Sequence, residues 1–388
     1  MQEPVRLNKE TLVVHDSHDE RHYGAVSFPV YQNSLFTFKT HEELETALSL
    51  EVSSMIYTRG NNPTVALLED KLAKLEGGEK ARCFTSGMAA ITAAILSVVR
   101  SGDHIICVDG AYGPTKKFLE QYLNRFHIQT SFVDGRDVLQ IEAAVQANTR
   151  LIYLESPTSF TFELQDIRKC AALASRIGAT TIIDNTWATP MFQNPLELGI
   201  DLVVHSMTKY ISGHSDLIGG VVIGSQRHMD ELFAGEFQLL GGILHPQSAA
   251  IFMRGLRTLP LRMNKHEQNG LRVAQHLRER PNIIRVNQPG LEDHPQHELF
   301  KSQMRGSSSV FSFETDIPMS AMRRWANALL LFRKGISWGG YESLVYMREW
   351  SDGTVIVRLY VGLEEPEDLM QDMEQAFESI GYRCAVKS

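Results

Sequence analysis

Apolar strands alternating with amphipathic helices predict an α/β protein. The expected architecture is a mostly parallel central sheet with helices on both faces, followed by a smaller C-terminal α/β domain. Two observations carry this reading. Short apolar runs recur between residues 81 and 223, and stretches of helical periodicity separate several of them. The chain has 388 residues, enough for a full core and a second domain.

Residues 1–62 lack sustained periodicity and read as an irregular N-terminal segment. From Thr64 the pattern turns helical. Val65, Leu68, Leu72 and Leu75 recur at helical spacing, and Gly77-Gly78 ends the run. Strands are expected at 81–84, 104–108, 151–154, 180–183, 202–204 and 220–223, with helices at 88–99 and 166–177. A large domain is assigned to 63–255 and a C-terminal domain to 256–388. The boundary lies in a helix near 248–257. The second domain contributes strands at 309–313 and 354–361 and a final helix at 366–380. Segments 262–268 and 288–297 read as loops, and His294 and His297 as solvated loop residues in a polar stretch.

Composition narrows the function. Hydrophobic residues make up 43% and charged residues 22%, an ordinary globular balance. A formal net charge of −8 argues against a nucleic-acid surface. No apolar run is long enough to span a bilayer, and the first residues lack the apolar core of a signal peptide. Cys83, Cys107, Cys170 and Cys384 are scattered, with no C-x-x-C, so a reducing cytoplasm is expected.

The strand ends carry the chemistry. Phe84 runs into Thr85-Ser86-Gly87-Met88, Val108 into Asp109-Gly110-Ala111-Tyr112, and Leu154 into Glu155-Ser156-Pro157-Thr158. Ile183 runs into Asp184-Asn185-Thr186, and Val204 into His205-Ser206-Met207-Thr208-Lys209. In a parallel sheet these ends share one edge, where ligands bind. Each residue has an ordinary role when taken singly: a tight turn, a core aromatic, a capping Asp, a solvated lysine. Their convergence on one edge is what singles them out.

One ligand would use them all. Ser86-Gly87-Met88 offers helix N-terminal N–H groups to a phosphate, and Ser206 and Thr208 offer hydroxyls to it. Asp184 can keep a ring nitrogen protonated, Tyr112 can stack on a flat ring, and Lys209 can condense with an aldehyde. Pyridoxal 5'-phosphate has all four features.

The chain resembles the pyridoxal-phosphate enzymes of cysteine and methionine metabolism, the cystathionine synthases and lyases and their sulfhydrylase relatives. The resemblance rests on "YTRGNNPTVALLEDKLAKLEGG", "SGMAAI", "ESPT", "IIDNTWATP", "SMTKYISGHSDLIGG", "RGLRTL", "SWGGYESL" and "VRLYVGLE", in family order. It implies an aspartate aminotransferase-like fold (fold type I). It implies that Lys209 carries the cofactor and acts as base, and that Asp184 faces the ring nitrogen. Tyr112 would stack on the ring and pass a proton to the leaving sulfur. Ser86, Gly87, Met88, Thr186, Ser206 and Thr208 would line the cofactor site. Tyr57 and Arg59 would reach the phosphate of a neighbouring subunit, which makes a dimer obligatory and implies a homotetramer. Arg358 would grip the substrate α-carboxylate, with Ser337, Trp338 and Tyr57 on the substrate side. Alternation in Val355-Ile356-Val357-Arg358-Leu359 puts Arg358 on the face opposite Val357 and Leu359, and a guanidinium suits a carboxylate. Without the resemblance, Arg358 would read as a surface residue of an edge strand. As base, Lys209 must be neutral, so burial and a nearby cation should lower its pKa.

Within the family the chain looks closest to the cystathionine β-lyase branch. Ser159-Phe160 replaces the Asn-Pro that often follows this Thr in γ-type enzymes. Ile336 stands where γ-type enzymes acting on cystathionine commonly place Glu, and Tyr112-Gly113-Pro114 lacks the cysteine typical of methionine γ-lyases. The expectation is β-elimination from cystathionine or a related cysteine S-conjugate. A γ-replacement enzyme or a γ-lyase is the near alternative. A serine hydrolase is disfavoured, because Leu217 stands where the G-x-S-x-G elbow around Ser215 needs glycine. A zinc enzyme is disfavoured too, since no H-E-x-x-H occurs. A non-enzymatic regulator that keeps the cofactor fold would not need both Lys209 and Arg358.

Overall fold

The computed structural model of the protein describes residues 7–15 and 22–382. Cys384 lies outside them. The larger sheet comprises β1 (Lys80–Phe84), β2 (His104–Val108), β3 (Gln129–Val133), β4 (Thr149–Glu155), β5 (Thr180–Asp184), β6 (Leu202–Ser206) and β7 (Gly220–Gly224). Across the sheet they run in the order β1-β7-β6-β5-β4-β2-β3. Strands β2 to β6 pair in parallel, and only β7 runs against its neighbours β1 and β6. The expected mostly parallel sheet is therefore present. Its inner strands are buried on both faces, so their sequences read as continuous apolar runs. Strand β3, missing from the expected set, is the edge strand Gln-Thr-Ser-Phe-Val. It is only half-buried, so its apolar signal is thin.

The helix Pro63–Glu76 starts and stops as its sequence dictates. The Asn62 side chain accepts from the Thr64 N–H at 3.0 Å, Pro63 occupies the first turn, and Gly77 closes the helix at φ 83°. Val65, Leu68, Leu72 and Leu75 are all buried. Each such side chain contributes about 1.5–3 kcal/mol, and the stripe packs the helix on β1 and β7.

The N-terminal segment is more regular than expected. It contains helices Lys9–Val14 and His41–Ser49, but only Val13 and Ala47 are buried in them, so they show almost no periodic signal. Buried Arg82 ties the segment down: it donates to Asn61 Oδ1 at 2.9 Å and to the Val52 carbonyl at 3.3 Å.

The C-terminal sheet comprises β8 (Ile283–Asn287), β9 (Val310–Thr315), β10 (Arg333–Lys334), β11 (Leu344–Glu349) and β12 (Val355–Tyr360), in the order β10-β11-β12-β9-β8. The two strands expected from sequence are the most buried, β9 and β12. The expected domain division at 255/256 falls at the end of the helix Pro246–Leu256. Segment 262–268 is not a loop. It lies inside the helix Leu259–Arg278, where Arg262 and His266 are buried and disguise the apolar face. His294 is likewise buried, with its Nδ1 accepting from the Gln296 N–H at 3.1 Å, and His297 opens the helix His297–Gln303. Neither is a solvated loop histidine. A polar stretch hides such burial because the partners are backbone groups.

Gly220 links the sheet to the strand-end turns. It pairs with Phe84 on one side and Ser206 on the other. A Cβ there would meet the Ser86 carbonyl oxygen at 2.3 Å and Gly87 Cα at 2.8 Å. Gly220→Ala is expected to destabilise the protein by roughly 1–3 kcal/mol and to weaken cofactor uptake. Denaturant titration and absorbance of the bound cofactor check this. An unchanged midpoint with full uptake would contradict it.

Candidate active site

The carboxyl ends of β1, β2, β4, β5 and β6 open onto one cavity of about 270 Å³. Ser86, Gly87, Met88, Tyr112, Asp184, Thr186, Ser206, Thr208, Lys209, Trp338 and Arg358 all line it. The convergence expected from the strand ends is real.

At one end is the N-terminus of the helix Gly87–Val98. The Ser86 hydroxyl caps it by accepting from the Ala89 N–H at 3.0 Å. The first-turn N–H groups of Gly87 and Met88 have no intrahelical acceptor and point out of the helix. Ser206 Oγ has no hydrogen-bond partner among the described residues and lies against Gly87, where a Cβ would meet it at 2.8 Å. The Thr208 hydroxyl is engaged with the Gly219 backbone. This end suits an anion such as a phosphate.

In the middle sits buried Asp184. Its Oδ1 accepts from the Thr186 N–H at 2.9 Å and from the Thr186 hydroxyl. That hydroxyl also accepts from the Ser206 N–H at 2.8 Å, so Thr186 braces β5 against β6. Asp184 Oδ2 has no partner among the described residues. Burial pushes the Asp184 pKa up, while the Thr186 bonds, His205 and Lys209 hold it down. A buried carboxylate with one free oxygen fits a cationic ring N–H.

Sequence reasoning put Glu155 on the shared edge but gave it no role in the site. It lies beside Asp184 in register across β4 and β5. Its carboxylate accepts from the Tyr112 N–H at 2.7 Å and from the Ser159 hydroxyl at 2.8 Å. Burial first, and then Asp184, push its pKa up. The available signal was its place at the end of β4, next to the strand carrying Asp184. Glu155 fixes the backbone of Tyr112, whose ring faces the cavity. Burial, then Glu155 and Asp184, raise the Tyr112 pKa, so the phenol keeps its proton.

Lys209 follows β6, on the same edge. Its Nζ donates to Ser337 Oγ at 2.8 Å and lies 5.2 Å from the centroid of the Trp338 ring. Gly339, at φ 93°, presses on the lysine backbone: a Cβ there would meet Lys209 Cα at 2.6 Å. The Ser337-Trp338-Gly339 turn therefore positions the lysine. The Lys209 pKa is lowered to about 8, first by burial and then by the Arg358 cation, with Asp184 opposing. Both expected causes are present.

Arg358 is on β12, between β11 and β9, so it does not belong to an edge strand. Val357 and Leu359 are fully buried on the other face, and Arg358 points into the cavity, where it donates to the Ile336 carbonyl at 2.6 Å. Tyr57 and Arg59 do not reach this cavity. They line a separate surface cleft with Gln32 and His245.

An α/β fold with a pKa-lowered lysine, an anion-binding helix start and a buried carboxylate on one sheet edge defines a pyridoxal-phosphate-dependent enzyme. The chain belongs to the family of Cys/Met metabolism PLP-dependent enzymes, which matches residues 10–378. It is 39% identical to the L-methionine gamma-lyase of Pseudomonas putida over 95% of this chain and 97% of that protein. It is 37% identical to the cystathionine gamma-lyase of Bacillus subtilis over 96% of this chain and 100% of that one. Among solved structures, a putative O-acetylhomoserine (thiol)-lyase from Campylobacter jejuni superposes with TM-score 0.90 at 30% identity. That match covers 96% of this chain and 100% of the other, whose structure holds N'-pyridoxyl-lysine-5'-monophosphate.

If the local field sets the state of Lys209, cofactor-free protein should capture pyridoxal phosphate faster as pH rises through about 8. The neutral amine is the nucleophile, and it predominates above that pH. Arg358→Gln removes a cation and should move the midpoint upward. A midpoint near the ordinary lysine value, or one unmoved by the substitution, would contradict this.

Proposed function

We propose that the protein is a carbon–sulfur lyase that eliminates a thiol from Cβ of cystathionine or a related cysteine S-conjugate, leaving pyruvate and ammonia. The observation that carries the lyase reading is the shared cavity of Lys209, Asp184 and Arg358, with the lysine pKa brought to about 8. When bound, pyridoxal phosphate supplies the electron sink that lets an amino-acid Cα–H bond ionise. Gly87, Met88 and Ser206 would hold its phosphate, Asp184 its ring nitrogen, and Tyr112 would stack on its ring.

The chain's own groups then divide the work. Arg358 binds the α-carboxylate with a fork of donors. Lys209, aimed by Ser337, takes the Cα proton. Tyr112, still protonated, gives a proton to the departing sulfur. Trp338 covers the lysine and limits water on that side. The β-branch rests on Ser159, Phe160 and Ile336, and Ile336 lines the cavity with an apolar side chain. A second reading, γ-elimination, is favoured by the relatives, which are named as methionine and cystathionine γ-lyases.

The active unit we propose is at least a dimer, within a homotetramer. In this reading Tyr57 and Arg59 serve a neighbouring subunit's cofactor; the half-exposure of Tyr57, with Arg59 beside it, supports that role. No helix among the described residues is long and apolar enough to cross a membrane. Cys83, Cys107 and Cys170 are buried and unpaired, which supports the cytoplasm as the working compartment.

Incubation with L-cystathionine and L-methionine tests the branch. Pyruvate from cystathionine supports β-elimination, whereas 2-oxobutyrate from either substrate supports the γ reading. Lys209→Ala is expected to lower kcat by at least about 10²–10⁴-fold. Retained turnover in that variant would sink the lysine's role in either branch.

A further inference from the structure

A second cavity of about 780 Å³ adjoins the first. The two share Tyr112, Ser159, Phe160, Ile336 and Arg358 along their boundary. Anything attached to the sulfur of a bound substrate would extend into this outer space. Its wall carries a second arginine, Arg348, on β11.

The two arginines share one aromatic shelf. The Arg348 guanidinium carbon is 4.4 Å from the centroid of the Phe160 ring, and that of Arg358 is 5.1 Å from it. Each is 5.7 Å from the centroid of Tyr346. Phe160 has φ 70°, a left-handed conformation uncommon for an aromatic residue. The Ser312 hydroxyl on β9 donates to its carbonyl and ties this turn to the sheet. The ring is thus held in place by an unfavourable backbone.

Two like charges on one shelf repel: burial first, and then Arg348, lower the proton affinity of Arg358, with Tyr346 opposing. Of the guanidinium groups in this cavity, Arg136 is matched by Asp134 and Glu163; among the lysines, Lys116 is matched by Asp109, and Lys117 has no carboxylate partner among the described residues. Arg348 has none among the described residues. Its one polar contact is Nε to the Tyr346 hydroxyl at 3.5 Å. With the α-carboxylate on Arg358, the remaining unmatched guanidinium calls for a second anion.

We propose that Arg348, seated on Phe160, is a distal anion subsite, and that the preferred substrate carries a second carboxylate on its sulfur substituent. The proposal rests on the carbon–sulfur lyase reading for its substrate class, but the subsite can be tested without turnover. L-Aminoadipate and L-norleucine have similar chain lengths, differ in the terminal carboxylate and have no leaving group. Calorimetric titration of the holoenzyme should show aminoadipate binding about tenfold more tightly, as fits one partly solvated charge-assisted contact. Arg348→Gln should abolish that gap, and Arg348→Lys should keep part of it. Equal affinities in the native protein, or a gap that survives Arg348→Gln, would overturn the subsite.

Turnover of S-carboxyethyl-L-cysteine against S-propyl-L-cysteine, read as keto acid, separates the two claims. The acid should lead about tenfold in kcat/KM, mainly through KM, and the lead should vanish in Arg348→Gln. An Arg348-dependent affinity gap with no keto acid from either compound keeps the subsite and sinks the lyase reading. Keto acid from both, with no preference and no affinity gap, does the reverse.

Discussion

An amine kept largely out of water is the constraint on which the rest of the site depends. In water the Lys209 ammonium would be stable far above neutral pH. Burial and the facing Arg358 cation make the charged form costly and bring its pKa to about 8. The cation does not come from the strand that leads into Lys209. The lysine follows β6 of the large sheet, whereas Arg358, Ser337 and Trp338 come from the C-terminal sheet and its connecting turn. The two sheets must therefore meet at this point, and Gly339 allows the turn to press on the lysine backbone. The packing of the C-terminal sheet is in this sense part of what sets the environment of Lys209.

Charge is sorted across the cavity. Carboxyl groups sit at the ends of β4 and β5, a neutral helix start and hydroxyls sit near β1 and β6, and cations sit on β11 and β12. A planar cation would be drawn to Asp184, an anionic phosphate to the helix start, and the acid end of an amino acid to Arg358. In the reading proposed above, each group would meet a different part of one cofactor and one substrate. The free Asp184 oxygen and the unpartnered Ser206 hydroxyl express the same complementarity.

Much of this was legible in the chain because buried parallel strands are continuous apolar runs and their ends are abrupt polar clusters. Val204 running into His205-Ser206-Met207-Thr208-Lys209 is such an end. The glycine stop of the helix Pro63–Glu76 was equally plain. What stayed hidden was structure whose burial does not depend on apolar periodicity. Edge strand β3 is half polar, the N-terminal helices bury one residue each, and Arg262 and His266 are buried through backbone hydrogen bonds. Glu155 was visible at its strand end, but its function was not. Its role depends on lying beside Asp184 across two strands, a relation that only the register reveals. Arg348 needed the left-handed turn at Phe160, which no residue pattern announces.

The most direct test of the central claim is covalent. Holoenzyme reduced with borohydride should retain one cofactor per chain, fixed in the peptide that contains Lys209. Fixation on a different lysine, or a protein that stays colourless and takes up no pyridoxal phosphate, would contradict the account at its base.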